Sequence, residues 1–449
     1  MSSPVGGQYK FSNSTGENTN VQVTTDPTIP PPPPQPGQFN LWVITENSGS
    51  PDFNVQTPAG YQGVVVIADN GQLIDVVSGN VSITDTTAGG GAATPGGPTV
   101  DTLIGGSGND TLIGSTAPVF IVGGTGLDLL ELGSGGGTVR GGSPLTTIIG
   151  GDGGTNVLYG AALDSIVGGA GATTVYGAEG DTIAGGGGST VIFAGAGNSI
   201  TGGTGNDTIY AADGDTVTGG SGSNLIDATK FNATFAQISG GDGSATIYGA
   251  QFDTITGGNS GNNQIFGAAD DVIVGGNGTT TITGAAGDTI TGGGGATTIK
   301  GGAGNQSITG GSGATSIKGG VGDTITAGSG ATTIDGSAGS QSIIGGAANM
   351  TAFGGSHDTF VGGAGTEMLN FGKGRKELFQ DTAAGGHDTI TGFKLGHGDR
   401  IQFAGEDKAT IRAVVQTAIT KHGNTTITLT DGTKLTLIGV NHITAHFFS

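Results

Sequence analysis

Eight aspartates recur just ahead of short apolar strands: Asp164, Asp181, Asp215, Asp253, Asp271, Asp288, Asp323 and Asp358, with Asn198 interrupting the series. The segments that carry them are usually eight residues long, as in GAEGDTIA (177–184) and GAAGDTIT (284–291). If successive copies stack as coils, the carboxylates line one edge. Neighbours ~4.8 Å apart repel by about 3–4 kcal/mol at an effective dielectric near 20. A bound cation relieves that repulsion. A second reading needs no ion. Each Asp caps its own turn by accepting main-chain amides, with its carboxylate splayed toward water.

A second column closes the nine-residue segments: Tyr159, Tyr176, Phe193, Tyr210, Tyr248 and Phe266, broken by Asp227 and followed by Thr283 and Lys300. In a roll this position points outward. An exposed aromatic stripe marks an interaction surface, for a protein neighbour or a sugar laid on the rings. Alternatively, the rings stack on one another and stiffen the fold. A third column pairs Thr216/Thr218, Thr254/Thr256, Thr289/Thr291 and Thr324/Thr326. Flat threonine arrays suit ice, but outward Thr also follows from β-propensity on a solvated sheet.

Catalytic groupings are missing from the sequence. It has no Cys, and all six His lie at or after His357. There is no H-E-x-x-H, no G-x-S-x-G elbow and no P-loop lysine. Asp270 and Asp271 are adjacent, so in a strand they face opposite sides.

These columns need a repetitive scaffold, and the composition supplies one. Glycine makes up 98 of 449 residues, about a fifth, against roughly 7% in an ordinary domain. Hydrophobic residues are 34% and charged residues 11%. A thin fold with one apolar residue per strand fits these values. Lys+Arg number 14 against 35 Asp+Glu, a net charge of −21. Nucleic acid and anionic membrane surfaces are disfavoured as partners, and cations favoured.

From residue 101 to about 370 the chain repeats. Tyr159, Tyr176, Phe193 and Tyr210 are spaced 17 apart. Each interval divides into a nine-residue and an eight-residue half, each a glycine turn followed by a strand. Val175, Ile183, Ile192, Ile200, Ile209 and Val217 point inward. The predicted fold is all-β: a parallel β-roll, or β-solenoid, with glycine-rich turns. Residues 1–38 read as a flexible lead with a polyproline spacer, and 39–90 as a small β module. Residues 91–100 are a Gly/Pro linker, 101–370 the roll, and 371–449 a C-terminal β cap. ATKFNATF (228–235) reads as a loop bulging from the roll.

The halves GGSGNDTLI (105–113) and GGTGNDTIY (202–210) fit G-G-x-G-x-D-x-U-x. On these residues the chain resembles the RTX family, calcium-binding β-roll proteins of Gram-negative bacteria. The segments 385–405 and 425–449 resemble the C-terminal region of RTX proteins exported by type I secretion. Such an uncleaved C-terminal signal would explain why the first twenty residues lack a basic-then-apolar signal peptide. The resemblance implies Ca2+ held by glycine-loop carbonyls and sixth-position carboxylates. By the motif these are Asp110 and Asp207, with Glu367 a looser match. Asp101 and Asp388 join the eight-residue series as further candidate ligands. Thr fills the sixth position at Thr173, Thr190, Thr280, Thr297, Thr315 and Thr332, which predicts a largely metal-free edge there.

The sequence thus predicts a secreted calcium-binding structural protein that folds outside the cell and assembles with copies of itself as a surface layer, filament or biofilm matrix. Its partners would be further copies, the type I secretion machinery and cell-surface polysaccharide. The alternative is a polysaccharide-binding adhesin. A carbohydrate-active enzyme and an ice-binding protein are weaker readings, the enzyme because the roll carries almost no basic residues.

Overall fold

The computed structural model describes residues 118–302, 304–382, 385–403, 406–429 and 432–448. Before these it describes 7–12, 18–24, 39–46, 63–68, 73–78, 82–84, 101–107, 109–114 and 116. The polyproline spacer, the 91–100 linker and Asp431 lie outside the described residues. The chain divides into two compact units, Met1–Gly222 and Ser223–Ser449.

In the first unit two strands are laid down per coil, one in each of two parallel sheets. The first sheet stacks Thr155–Tyr159, Ala172–Tyr176, Thr190–Phe193 and Thr208–Tyr210 in register. The second stacks Thr147–Ile149, Ser165–Val167, Thr182–Ala184, Ser199–Thr201 and Thr216–Thr218. Three-residue strands suffice because each contributes one inward side chain. Val175, Ile183, Ile192, Ile200, Ile209 and Val217 are all buried, as expected. Each such burial stabilises the roll by roughly 1.5–3 kcal/mol.

The strands described within 39–90 continue the two sheets, although Gly63–Ala68 and Leu73–Ser78 pair antiparallel. Leu73–Ser78 pairs parallel with Asp101–Ser107, and Ser82–Thr84 pairs with Thr111–Ile113. Phe39–Glu46, Gly63–Ala68 and Leu73–Ser78 are successive partners in the first sheet. The stretch expected to be a flexible lead also carries strands. Gly7–Ser12 pairs antiparallel with Asn18–Thr24, which runs parallel to Phe39–Glu46.

The second unit repeats the two-sheet coil from Ser223 onward. ATKFNATF forms the expected loop, closed by Asn232 N–H to Thr229 O and Ala233 N–H to Ala228 O. Near the C-terminus the core residues change from isoleucine to phenylalanine. Phe360 stacks on Phe371 at 5.2 Å, and Phe393 on Phe447 at 5.4 Å. The expected hairpin is present: Asn424–Thr428 pairs antiparallel with Lys434–Leu437, which joins His387–Thr391 in the sheet. The cap is not wholly β. Lys408–Gln416 is a helix whose N-cap Asp407 accepts Thr410 N–H at 2.7 Å. Asp407 at the N-cap was the readable signal.

Candidate metal centre

The acids fall into two columns, one ahead of each sheet. In the first unit the column before the second sheet holds Asp110, Asp128, Asp164, Asp181, Asn198 and Asp215. In the second unit it holds Asp253, Asp271, Asp288, Asp323, Asp358, Glu377 and Asp399. Asp110 therefore shares an edge with Asp164, not with Asp207 as its nine-residue segment suggested. Between 105 and 149 both halves of each coil are nine residues long, so length does not distinguish the edges. Asp207 lies before the first sheet, in the column of Asn156, Thr173 and Thr190. Asp101 is in register with that column through Val119, Gly137 and Asn156. In the second unit Glu367 and Asp388 are direct cross-strand neighbours. Asp128, Glu377 and Asp399 were missed, although GGTGLDLLE (123–131) carries the nonapeptide pattern.

The eight-residue turns are lined with amides. Asp181 Oδ1 accepts Asp164 N–H at 2.8 Å, and its Oδ2 accepts Ala178 N–H at 2.7 Å. Asp164 takes the amides of Thr146 and Ala161, and Asp215 those of Asn198 and Ala212. In the second unit Asp253, Asp271, Asp323 and Asp358 each accept two amides in the same way. Asp288 does so from Asp271 and Ala285. The carboxylates stack as expected and cap their turns. They are not splayed toward water: all eight are at most 1% exposed.

The nine-residue turns are lined with carbonyls. Thr173 Oγ1–H donates to Gly168 O at 2.7 Å and approaches Gly171 O at 3.1 Å. Thr190 donates to Gly185 O, Thr280 to Gly275 O and Thr297 to Gly292 O. Asn156 and Asn263 do the same with Nδ2, and Gln306 with Nε2. One extra residue has reversed what the turn requires, from an acceptor to a donor.

An acid in a nine-residue-type turn cannot meet that need. Asp128 Oδ1 accepts Asp110 N–H at 2.9 Å, but its buried Oδ2 meets no donor. A Cβ on Gly123 would meet both this oxygen and Gly141 O. Glu367 is 0% exposed, and Cβ atoms on Gly345 or Gly363 would meet its Oε1. Neither carboxyl oxygen of Glu367 meets a donor beyond a proton it can share with Asp388, while the Asp358 and Glu367 amides approach Glu377 and Asp388 only loosely. Asp207 Oδ1 accepts Thr190 N–H at 2.8 Å, and a Cβ on Gly202 would meet its Oδ2.

Burial raises the carboxyl pKa of Asp128, Asp164, Asp181, Asp215, Asp271, Asp288, Asp358 and Glu377 on one edge, and of Asp207 and Asp388 on the other. Asp164 and Asp215 reach about 6 and Asp271 about 7, against the pull of the amides they accept. Burial, then the charges of Asp358 and Asp399, lifts Glu377 to about 8. Asp388 rises further through burial and the facing Glu367. Carboxylates and carbonyls facing one another without a donor fit a hard cation that takes six to eight oxygens. Among the described residues no three acidic or histidine side chains converge. A cation in these turns would therefore be held by one or two carboxylates and by main-chain carbonyls. The eight-residue turns do not fit one, because amides already point at both oxygens.

The aromatic residues form stacked ladders. Tyr159–Tyr176, Tyr176–Phe193 and Phe193–Tyr210 centroids lie 4.8, 5.1 and 5.0 Å apart, with planes within 15°. Tyr248 and Phe266 stack at 4.9 Å in the second unit. Arg140 sits 4.6 Å over the outer face of Tyr159. The column points outward, with Tyr176 39% and Tyr248 38% exposed, but it presents ring edges.

The family model for the RTX calcium-binding nonapeptide repeat (4 copies) matches residues 95–117, 104–139, 184–215, 198–226, 282–317 and 291–326. Asp110, Asp128 and Asp207 lie inside these blocks, and Glu367, Glu377 and Asp388 outside them. Three stretches of the chain, 95–139, 184–226 and 282–326, thus match RTX-type calcium-binding repeats, and the fold is the β-roll such repeats build. A solenoid of this kind is typically structural rather than enzymatic. No curated protein matches the chain.

Proposed function

We propose that this is a secreted structural protein whose acid-bearing nine-residue turns take calcium outside the cell, and whose folded copies assemble at the cell surface as a layer, filament or matrix. The observation that carries the calcium reading is a buried carboxyl oxygen set near main-chain carbonyls with no donor, Oδ2 of Asp128 and both oxygens of Glu367. Repeats of this family occur in proteins that are generally secreted. Export by type I secretion through the 371–449 region would keep the chain unfolded until it meets millimolar calcium. Metal binding and folding would then be one event. Adhesion to polysaccharide draws little support from the aromatic column, because sugars stack on ring faces and these faces cover one another.

Negative-stain microscopy and thermal melting, each with millimolar calcium and with chelator, test the two halves separately. Ordered sheets or filaments with calcium, and a lower melting temperature in chelator, are expected. Discrete particles under both conditions would overturn assembly. Identical melting would overturn calcium-coupled folding.

A further inference from the structure

We propose that four cations on two successive turns, Lys373, Arg375, Lys376 and Lys394, form a site that holds an acidic polysaccharide and so ties the protein to the cell surface. The inference rests on the reading of a secreted surface protein and names the patch that anchors it. The two turns precede Leu378–Asp381 and Arg400–Phe403, which pair in parallel. Backbone contacts hold the turns side by side. Lys376 N–H donates to His397 O at 3.1 Å, and His397 Nδ1 lies 3.2 Å from Gly374 O. Phe371 touches Phe393, so by count Lys394 is level with Gly372, next to Lys373. All four cations are exposed. The acids of the same coils, Glu377, Asp381, Asp388 and Asp399, are all buried. Among the described residues none of the four cations forms an ion pair. These turns therefore keep their negative charge inside and their positive charge outside. From 101 to 370 the whole roll has only Arg140, Lys230, Lys300 and Lys318.

The patch selects an anion. At physiological ionic strength charges more than about 8 Å away are largely screened, so the patch, and not the net charge of −21, governs a close contact. Anionic lipids face the cytoplasm, away from a secreted protein. The aromatic side chains of these coils, Phe371, Phe379 and Phe393, are buried. The patch therefore offers nothing to insert into a bilayer or to stack on a base. A second copy is a poor match as well. The exposed acids described in the roll, Asp152, Glu179, Asp213, Asp242 and Asp270, each stand in a different coil, and the acids that stack in columns are buried. An acidic polysaccharide repeats its carboxylate or sulfate groups along one strand, so several reach cations on both turns at once. Arg375 can meet such a group with two parallel N–H bonds. Each exposed contact is weak alone, and the strand gains by making several.

Fluorescence anisotropy of labelled heparin, a sulfated uronate polysaccharide, titrated with the full chain in millimolar calcium and physiological salt, tests this. The native chain should bind. K373E/R375E/K376E should bind about tenfold more weakly, with an unchanged melting temperature. If that variant melts lower, R375Q/K376Q takes its place. K408E/R412E/K421E reverses three exposed charges elsewhere in the cap, beside the exposed Asp407, and should bind like the native chain. No binding by the native chain overturns the site, and so does an equal loss in both triple variants. Tighter binding to duplex DNA or to anionic phospholipid vesicles than to heparin overturns the choice of polysaccharide. Self-association that the first variant abolishes, in sedimentation without heparin, would assign the patch to a second copy instead. Each of these failures leaves calcium-coupled folding standing, which melting reads separately.

Discussion

Asp181 and Glu367 are both buried acids at the entrance to a strand, one residue apart in turn length. At Asp181 the shorter turn aims two amides at the carboxylate, so the anion is part of the protein's own hydrogen bonding. At Glu367 the longer turn offers no donor. Where Thr, Asn or Gln stands in the longer turn, a side-chain proton fills that place, as at Thr173 and Asn156. Turn length sets the direction of the peptide dipoles. The residue type then decides whether the turn closes by itself or needs a cation.

The largest effect expected from this contrast is on removing calcium. Each site at a hundredfold excess over its Kd contributes about 2.7 kcal/mol, so chelator should lower the melting temperature of the native chain markedly in calorimetry. Next comes pH, measured in chelator. Asp164, Asp215, Asp271 and Glu377 have folded pKa values raised above their unfolded ones. Their protonated forms favour the fold, so that stabilisation is complete below about pH 4. It is lost as pH rises, through about 6 for Asp164 and Asp215, about 7 for Asp271 and about 8 for Glu377. Calcium should restore stability at the upper end of this range, and a melting temperature that rises with pH in chelator would break the account.

Single substitutions sharpen the contrast further. T297D replaces a donor with an acid in a carbonyl-lined turn, and should cost about 3 kcal/mol in chelator but recover in calcium. D128T is the converse and should lower the calcium stoichiometry measured by isothermal titration while stabilising the metal-free chain. D181A strands two amides and should cost about 2 kcal/mol with or without calcium in denaturant melts. D181N should cost least, about 1 kcal/mol, because Asn198 already fills this place and accepts Asp181 N–H at 2.7 Å.

Much of this architecture was legible in the sequence. The 17-residue spacing and the single aliphatic per strand located the two sheets and the inward residues, because burial of one apolar group per strand leaves little freedom in register. The stacked Asp series was legible too. The direction of the peptide groups in the turns was not, since a carboxylate facing amides and one facing carbonyls are written with the same letter. Asp110 was placed on the wrong edge because length is ambiguous where both halves have nine residues. Of the aromatic column, the spacing gave the stacking distance but not the Arg140 guanidinium that covers Tyr159.

Anomalous diffraction from crystals grown in calcium tests the central claim most directly. The account predicts calcium peaks beside Asp128, at the Glu367–Asp388 pair and at Glu377, and none along the amide-capped run from Asp164 to Asp215. Peaks between Asp164 and Asp181, with none at Asp128 or Glu367, would contradict it.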